Sequence, residues 1–466
     1  MLAYFVTPRR WRNLILFLAS VLFYAWGEGR YTLVLLASLA LNYTCAIGME
    51  RAHSQARIRS LLWAGVAANL LLLGAFKYAG FVAANINVVL VRLAAAPWTV
   101  PDIHLPVGVS FFTFMGISYL VDVYRRDIQA EKSLTNFGLY LTLFPHLIAG
   151  PIVRYVSLAA ELTSRQASVE RFAEGVRRFT IGLAKKVLIA NTIAATADKA
   201  FALPPAELSM ASAWLGTVCY TLQIYYDFSG YSDMAIGLAK MFGFTFPENF
   251  NYPYVSRSIT EFWTRWHISL SSWLRDYLFF PLGVRRGKLG LYRNVMIVFL
   301  LCGLWHGAAW RFLVWGLFHG VLLVLERAGL AKGLRRLPGI VQHAYTLAAV
   351  MVGWVFFRAD KLADGVRYLS AMAGLNERNS STVGVAVYFT PDVTVALVVG
   401  AIGCVPVIPF LNRWMAASLN KLDHQFRPVL DGAIGAARLA AMSTLFVAAS
   451  ALSAAGTYNP FIYFRF

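Results

Sequence analysis

Of the 466 residues in this chain, 58% are hydrophobic and only 14% are charged, against about 25% charged in an ordinary soluble protein. The 42 basic residues outnumber the 23 acidic ones, for a net charge of +19. They lie in short loops and form no basic stripe interleaved with stacking aromatics, which argues against nucleic-acid binding and for loops that orient membrane spans and meet anionic lipid.

The first charge-free run, 13–27, ends in Tyr24-Ala25-Trp26 with no small-x-small cleavage site. A second apolar run, 31–49, follows at once, so the start does not read as a cleaved signal peptide. Further runs without Asp, Glu, Lys or Arg cover 103–121, 133–153, 208–226, 337–357, 393–412 and 439–464. Each is near or beyond the roughly 20 residues that a helix needs to cross a bilayer. Shorter runs at 60–76, 78–91, 294–310 and 312–325 suit tilted spans, half-helices or re-entrant segments. The pattern predicts an all-α polytopic integral membrane protein with roughly ten to thirteen hydrophobic segments. It forms a single membrane-embedded domain over residues 1–466. Two polar insertions, near 154–186 and 358–392, interrupt it. The first resembles an amphipathic helix from Val169 onward, and the second, with Asn376–Thr382, reads as an extramembrane loop. Basic clusters at Arg51, Arg57 and Arg59, at Arg285, Arg286, Lys288 and Arg293, and at Arg327, Lys332, Arg335 and Arg336 are expected on the cytoplasmic side.

Cys45, Cys219, Cys302 and Cys404 lie far apart in apolar runs, so neither a disulfide framework nor a zinc site is indicated. Asp227 and Asp233 flank Gly230 in an apolar region. Carboxylates there are functional suspects by default, and helix caps or breaks near the interface are the alternative. Two prolines within 246–254 exclude a continuous helix there. From Ser258 to Tyr277, Phe262, Trp266, Leu270, Trp273, Leu274 and Tyr277 recur at helical spacing, with polar residues gathered opposite. This predicts an amphipathic helix in the interface or along a wet funnel, with His267 inside it.

Among eight histidines, His267, His306 and His319 stand in the informative contexts. No two histidines have the three- or four-residue spacing of paired metal ligands on a helix, so no metal is expected. His306 and His319 would be about 20 Å apart on one continuous helix. A helix entering the membrane near Asn294 would carry His306 about 18 Å along its axis, near the middle of a core of roughly 30 Å. One helix over 294–325 would be about 48 Å long, too long for a single span, so a break at Gly303, Gly307 or Arg311 is required. Locally, His306 is either a hydrogen-bonded core residue or a neutral base.

Four ordered segments carry a family resemblance: FPHLIAGPIVR (144–154), YYDFSGYSDMAIGLAKMFGF (225–244), NFNYPYVSRSITEFWTRWHISLSSWLRDYLFFPLG (249–283) and LWHGAAWRFLVWGLFHG (304–320). Together they resemble the membrane-bound O-acyltransferases, in the bacterial branch that includes the membrane subunit of alginate O-acetyltransferase. The resemblance implies a multi-helix bundle around a central tunnel or funnel, with re-entrant or interfacial helices, in the bacterial inner membrane. It matches His306 to the family histidine and His267 to a second polar position. It further implies that an acyl thioester on the cytoplasmic side (acetyl-coenzyme A or an acyl carrier) donates the acyl group, with no bound cofactor. His306 would act as general base, His267 would orient or polarise, and Trp305 and Trp310 would exclude water. His319, Asp227 and Asp233 are further candidates for supporting or lining the tunnel. Extracytoplasmic partner proteins would complete transfer to an exported polysaccharide. The chain departs from the family in two places. Only ten residues precede Trp11, where a further apolar segment is expected, and the loop after Gly283 reads VRRGKLG, more basic than usual. A transporter or channel using Asp227, Asp233 and His306 as a proton relay is the alternative from another class; the lack of matching broken helices in two halves speaks against it.

Overall fold

A computed structural model describes residues 1–99, 103–204, 207–283, 287–375, 388–419 and 427–456, and among these there are helices and no strand. After a short helix Leu2–Val6 come α1 (Arg12–Glu28), α2 (Thr32–Arg51) and α3 (Gln55–Leu73). A π-helical turn, Gly74–Tyr78, carries α3 into α4 (Ala79–Arg92). α5 (Val109–Arg125) and α6 (Leu134–Thr142) complete the N-terminal part. Next are α7 (Val169–Ala184), a π-helical turn Lys185–Asn191, α8 (Thr192–Phe201) and the long α9 (Met210–Met241). The short α10 (Ile259–Arg265) and α11 (Ile268–Leu274) precede the hairpin of α12 (Gly287–His306) and α13 (Trp310–Leu325). α14 (Gly339–Arg358), α15 (Leu362–Met372), α16 (Pro391–Gly403), α17 (Val407–Leu419) and α18 (Arg427–Ala454) end the described chain.

Six helical stretches among the described residues are long and apolar enough to cross a membrane, and the pair α16–α17, bent by 62°, makes a seventh. Pro406 lies in that bend, where it removes a backbone donor and crowds the preceding turn. The first stretch, Arg9–Arg51, doubles back at Gly29, whose φ of +54° suits glycine. Its two arms reach the same neighbour: Asn13 Nδ2 donates to Asn136 Oδ1 at 2.7 Å, and Tyr43 Oη donates to Lys132 O at 2.7 Å. The protein is therefore an all-α polytopic membrane protein. This hairpin also puts Arg9, Arg10 and Arg12 at the same end of the bundle as Arg51, Arg57 and Arg59. Glu28 lies at the opposite end, where its carboxylate meets His104 Nε2 at 2.9 Å.

Several predicted elements differ in detail. The run 133–153 is two short helices and a loop rather than one span, because Pro145 and Pro151 interrupt it. The amphipathic helix expected from Val169 is α7. Within 358–392 the expected loop contains α15, whose Tyr368 and Met372 bury against Leu208, Ala213 and Val355; Asn376–Thr382, Arg285 and Arg286 lie outside the described residues. Asp227 and Asp233 neither cap nor break a helix, since α9 runs through both.

The reason α9 stays intact through Gly230 lies in its antiparallel partner α7. A Cβ on Gly182 would stand 2.5 Å from Gly230 O, and one on Gly230 would stand 2.7 Å from Gly182 O. Two turns away, Gly175 and Gly237 repeat the arrangement, each 2.6 Å from the other's carbonyl oxygen. Small residues allow this approach, and in lipid such close packing is a main source of helix association. The crossing is flanked by ion pairs: Lys186 Nζ to Asp227 Oδ1 at 2.5 Å, Lys185 Nζ to Asp233 Oδ2 at 2.6 Å, and Arg178 Nη2 to Asp233 Oδ1 at 2.6 Å. Gly182→Leu is expected to cost at least the roughly 1–3 kcal/mol typical of overpacking. Thermal unfolding in detergent should show a lower Tm for it, whereas Gly435→Leu, at a site with nothing within 4 Å, should leave Tm unchanged.

Candidate active site

α12 ends at His306, and α13 begins at Trp310 after an extended Ala309. The required break thus falls at Gly307–Ala309. A Cβ on Gly307 would lie 2.1 Å from the Phe312 ring, so glycine is needed for the chain to turn there. α12 starts no later than Gly287, which puts His306 about 28 Å along it rather than 18 Å. The hairpin is held close because a Cβ on Gly303 would be 2.2 Å from Phe312 O, and one on Gly316 would be 2.2 Å from Phe299 O.

The His306 ring is 8% exposed and packs edge-on against Trp315 at 5.0 Å and Phe357 at 5.1 Å. It borders a cavity of about 460 Å³ whose polar lining includes Lys77, His104 and Ser110, with Phe111 and Trp305 beside them. His104 meets Glu28, so this cavity is at the end of the bundle away from Arg51, Arg57 and Arg59. A larger cavity of about 520 Å³, lined by Tyr254, Arg257, His343, Met351 and Cys404, is bordered by neither His267 nor His306.

His267 departs from the predicted continuous helix. It separates α10 from α11, with φ 43° and ψ 54° in the left-handed region, a costly conformation for a residue with a Cβ. Asn249 holds it there. The Asn249 carbonyl accepts from Ile268 N at 2.9 Å, and its Oδ1 receives Ser269 N at 3.2 Å, Ser269 Oγ at 2.9 Å and His267 Nδ1 at 3.0 Å. Asn249 Nδ2 in turn donates to Ser232 Oγ at 3.1 Å. A backbone amide can only donate, so the side-chain atom facing Ser269 is the oxygen, and the His267 Nδ1 facing it carries the hydrogen. Nε2 is then the basic nitrogen of this ring.

The two histidines meet around one tryptophan. The Trp305 ring centroid lies 4.9 Å from that of His306 and 6.1 Å from that of His267. On the other side of Trp305 the interior is filled: Phe114 stacks on Trp305 at 5.3 Å and on Trp273 at 3.9 Å. Beyond Trp273, Tyr277 donates to Asp122 at 2.7 Å, and the Arg125 and Arg154 guanidinium groups lie over its ring. The expected tunnel is thus packed with aromatic rings towards the basic end.

The remaining candidates are placed elsewhere. Trp310 is 57% exposed, and its Nε1 donates to Asn85 Oδ1 at 2.9 Å on α4, away from the cavity lining. Asp227 and Asp233 belong to the α7–α9 ion pairs. His319 is fully buried between Trp263 and Trp315, with neither ring nitrogen hydrogen-bonded among the described residues. Because the helix breaks, the straight-helix separation of His306 and His319 does not apply: Trp315 touches both rings. No group of three or more His, Cys, Asp or Glu side chains among the described residues is arranged to hold a metal ion.

Two residues of the site were not singled out from sequence. Lys77 had a signal, as the only charge between Ser60 and Val91. Asn249 had none, being one of two asparagines in a loop.

The arrangement, a His306 imidazole bordering a cavity and packed between aromatic rings, suits proton removal from a hydroxyl. Residues 124–357 match the sequence profile of the membrane-bound O-acyltransferase family. The chain is 39% identical to a probable alginate O-acetylase AlgI of Azotobacter vinelandii, over 99% of this chain and 96% of that protein. It is 45% identical to a probable alginate O-acetylase AlgI of Pseudomonas aeruginosa, over 79% of this chain and 71% of that protein. A peptidoglycan O-acetyltransferase of Helicobacter pylori is 37% identical over 79% and 74%. These relatives are named for group transfer, none for transport. The chain belongs to the membrane-bound O-acyltransferase family and is an acyltransferase.

Proposed function

We propose that this chain transfers an acetyl group from a cytoplasmic thioester donor to an acceptor hydroxyl on the far side of the bacterial inner membrane. It would thereby serve O-acetylation of an exported polysaccharide such as alginate, together with extracytoplasmic proteins that complete the transfer. The observation that carries this reading is that His306 borders a cavity shared with Lys77, His104 and Ser110, at the end opposite the Arg51–Arg59 loop. Basic loops remain cytoplasmic, so the cavity faces outward. The acetylases named among the relatives support the choice of acyl group and acceptor class.

In this mechanism His306 accepts the hydroxyl proton as the acceptor oxygen attacks the thioester carbonyl carbon. The C–S bond then breaks, and the departing sulfur takes the proton from the imidazolium. His267 meets the reaction across Trp305 and would orient the acceptor or the carbonyl. The ring packing of Trp305, Trp315 and Phe357 keeps bulk water from the thioester.

Two variants test the assignment, with labelled-acetyl transfer measured in proteoliposomes. His306→Ala should insert normally and lose transfer by about 10²–10⁴-fold, the usual contribution of a positioned base; wild-type transfer would overturn the role. Asn249→Ala removes the acceptor that holds His267 and should lower kcat by about tenfold or more, whereas Asn249→Asp keeps that oxygen and should lose less. Equal losses in both variants would show that the His267 hydrogen bond is not what matters.

A further inference from the structure

The last four carbonyls of a helix have no partner within it, and at the end of α12 each is met. Gly303 O accepts from Gly307 N at 3.3 Å. Leu304 O accepts from Tyr78 Oη at 3.0 Å. Trp305 O accepts from Lys77 Nζ at 2.6 Å, and His306 O is 3.4 Å from the same nitrogen. Lys77 and Tyr78 are consecutive, and both sit in the π-helical turn Gly74–Tyr78, which interrupts the α3–α4 rod beside the break in α12.

Lys77 is an expensive residue in this place. It lies inside an apolar stretch long enough to cross a membrane, where a cation is tolerated only with compensation. Its hydrogen-bond partners among the described residues are uncharged oxygens: the two carbonyls and Ser110 Oγ at 3.4 Å. The compensation is the negative end of the α12 dipole. Its ammonium also lies 5.9 Å from the Trp305 ring centroid, and it lines the same cavity as His306.

We propose that Lys77 is a positioning residue for the transfer reaction: clamped on the carbonyl end of α12, it fixes the last turn and holds the His306 ring at the cavity wall. This rests on the reading of His306 as the base. A helix that ends in a catalytic side chain would otherwise fray at the residue where geometry matters most, and Lys77 ties that end to a separate helix. Tyr78 holds only the carbonyl two residues earlier, so it is the lesser tie.

The test uses the full chain in lipid nanodiscs and compares wild type with Lys77→Met, Lys77→Arg and Tyr78→Phe. Hydrogen exchange of the segment 300–310 reads the helix end without substrate, and steady-state acetyl transfer reads the reaction. Lys77→Met should speed exchange in that segment. It should also lower kcat by about 10²-fold, as expected for a reacting group displaced by about an ångström, with donor KM within about twofold. Lys77→Arg, which keeps the charge and the donors, should recover at least about a tenth of the wild-type kcat, and Tyr78→Phe should lose less than about tenfold. Wild-type exchange and kcat in Lys77→Met would overturn the proposal, as would a rise in KM alone. If Lys77→Met does not fold, Lys77→Gln is measured in its place, and wild-type values there overturn it equally. An active His306→Ala would defeat the reading of His306 while leaving the exchange result for Lys77 intact, so the two failures are distinguishable.

Discussion

The backbone contact of α12 with α13 at Gly303 and Gly316 is the constraint on which the site depends. With each glycine's missing side chain standing 2.2 Å from a carbonyl oxygen of the other helix, no larger residue fits without parting the hairpin. That closeness forces the turn at 307–309 to be short, and a short turn leaves His306 as the last helical residue instead of one in a continuous rod. The side chains then follow: Trp315, one turn into the returning helix, reaches back to the imidazole, and Phe357 of α14 closes the other flank. Most of the stabilisation here comes from packing, because lipid offers no hydrophobic gain for bringing helices together.

The helical class and the membrane setting were legible in the charge-free runs, and so was the need for a break near His306. A 32-residue apolar pattern interrupted by glycine cannot be one span, and length arithmetic alone exposes that. The motif match paired His306 with His267, which spacing could not do, because the contact is made through Trp305 between residues 39 positions apart. Asn249 was not legible. Its role depends on receiving four donors from a segment that periodicity had assigned to a helix interior, and the apolar spacing of Phe262, Trp266 and Leu270 is satisfied equally by two short helices joined at His267. Lys77 was visible as a lone charge, but only the end of α12 beside it explains why it is there.

Asp227 and Asp233 show how this bundle compensates charge in apolar surroundings. Carboxylates in apolar sequence are costly, and here their partners are Arg178, on the helix that the glycines draw close, and Lys185 and Lys186, in the π-helical turn that follows it. Removing one member of such a pair leaves an uncompensated charge, so these residues are demanding to change without touching chemistry. His319 is the contrasting case: an imidazole buried among indole rings and against Gly353, with both nitrogens unbonded among the described residues.

The stacked rings of Phe114, Trp273 and Trp305 also bear on the membrane as an insulator. A water-filled passage through the protein would let protons leak across the membrane that it spans. Rings packed at 3.9 and 5.3 Å leave no room for a file of water molecules between them. Trp305 thus belongs both to this seal and to the surroundings of the two histidines.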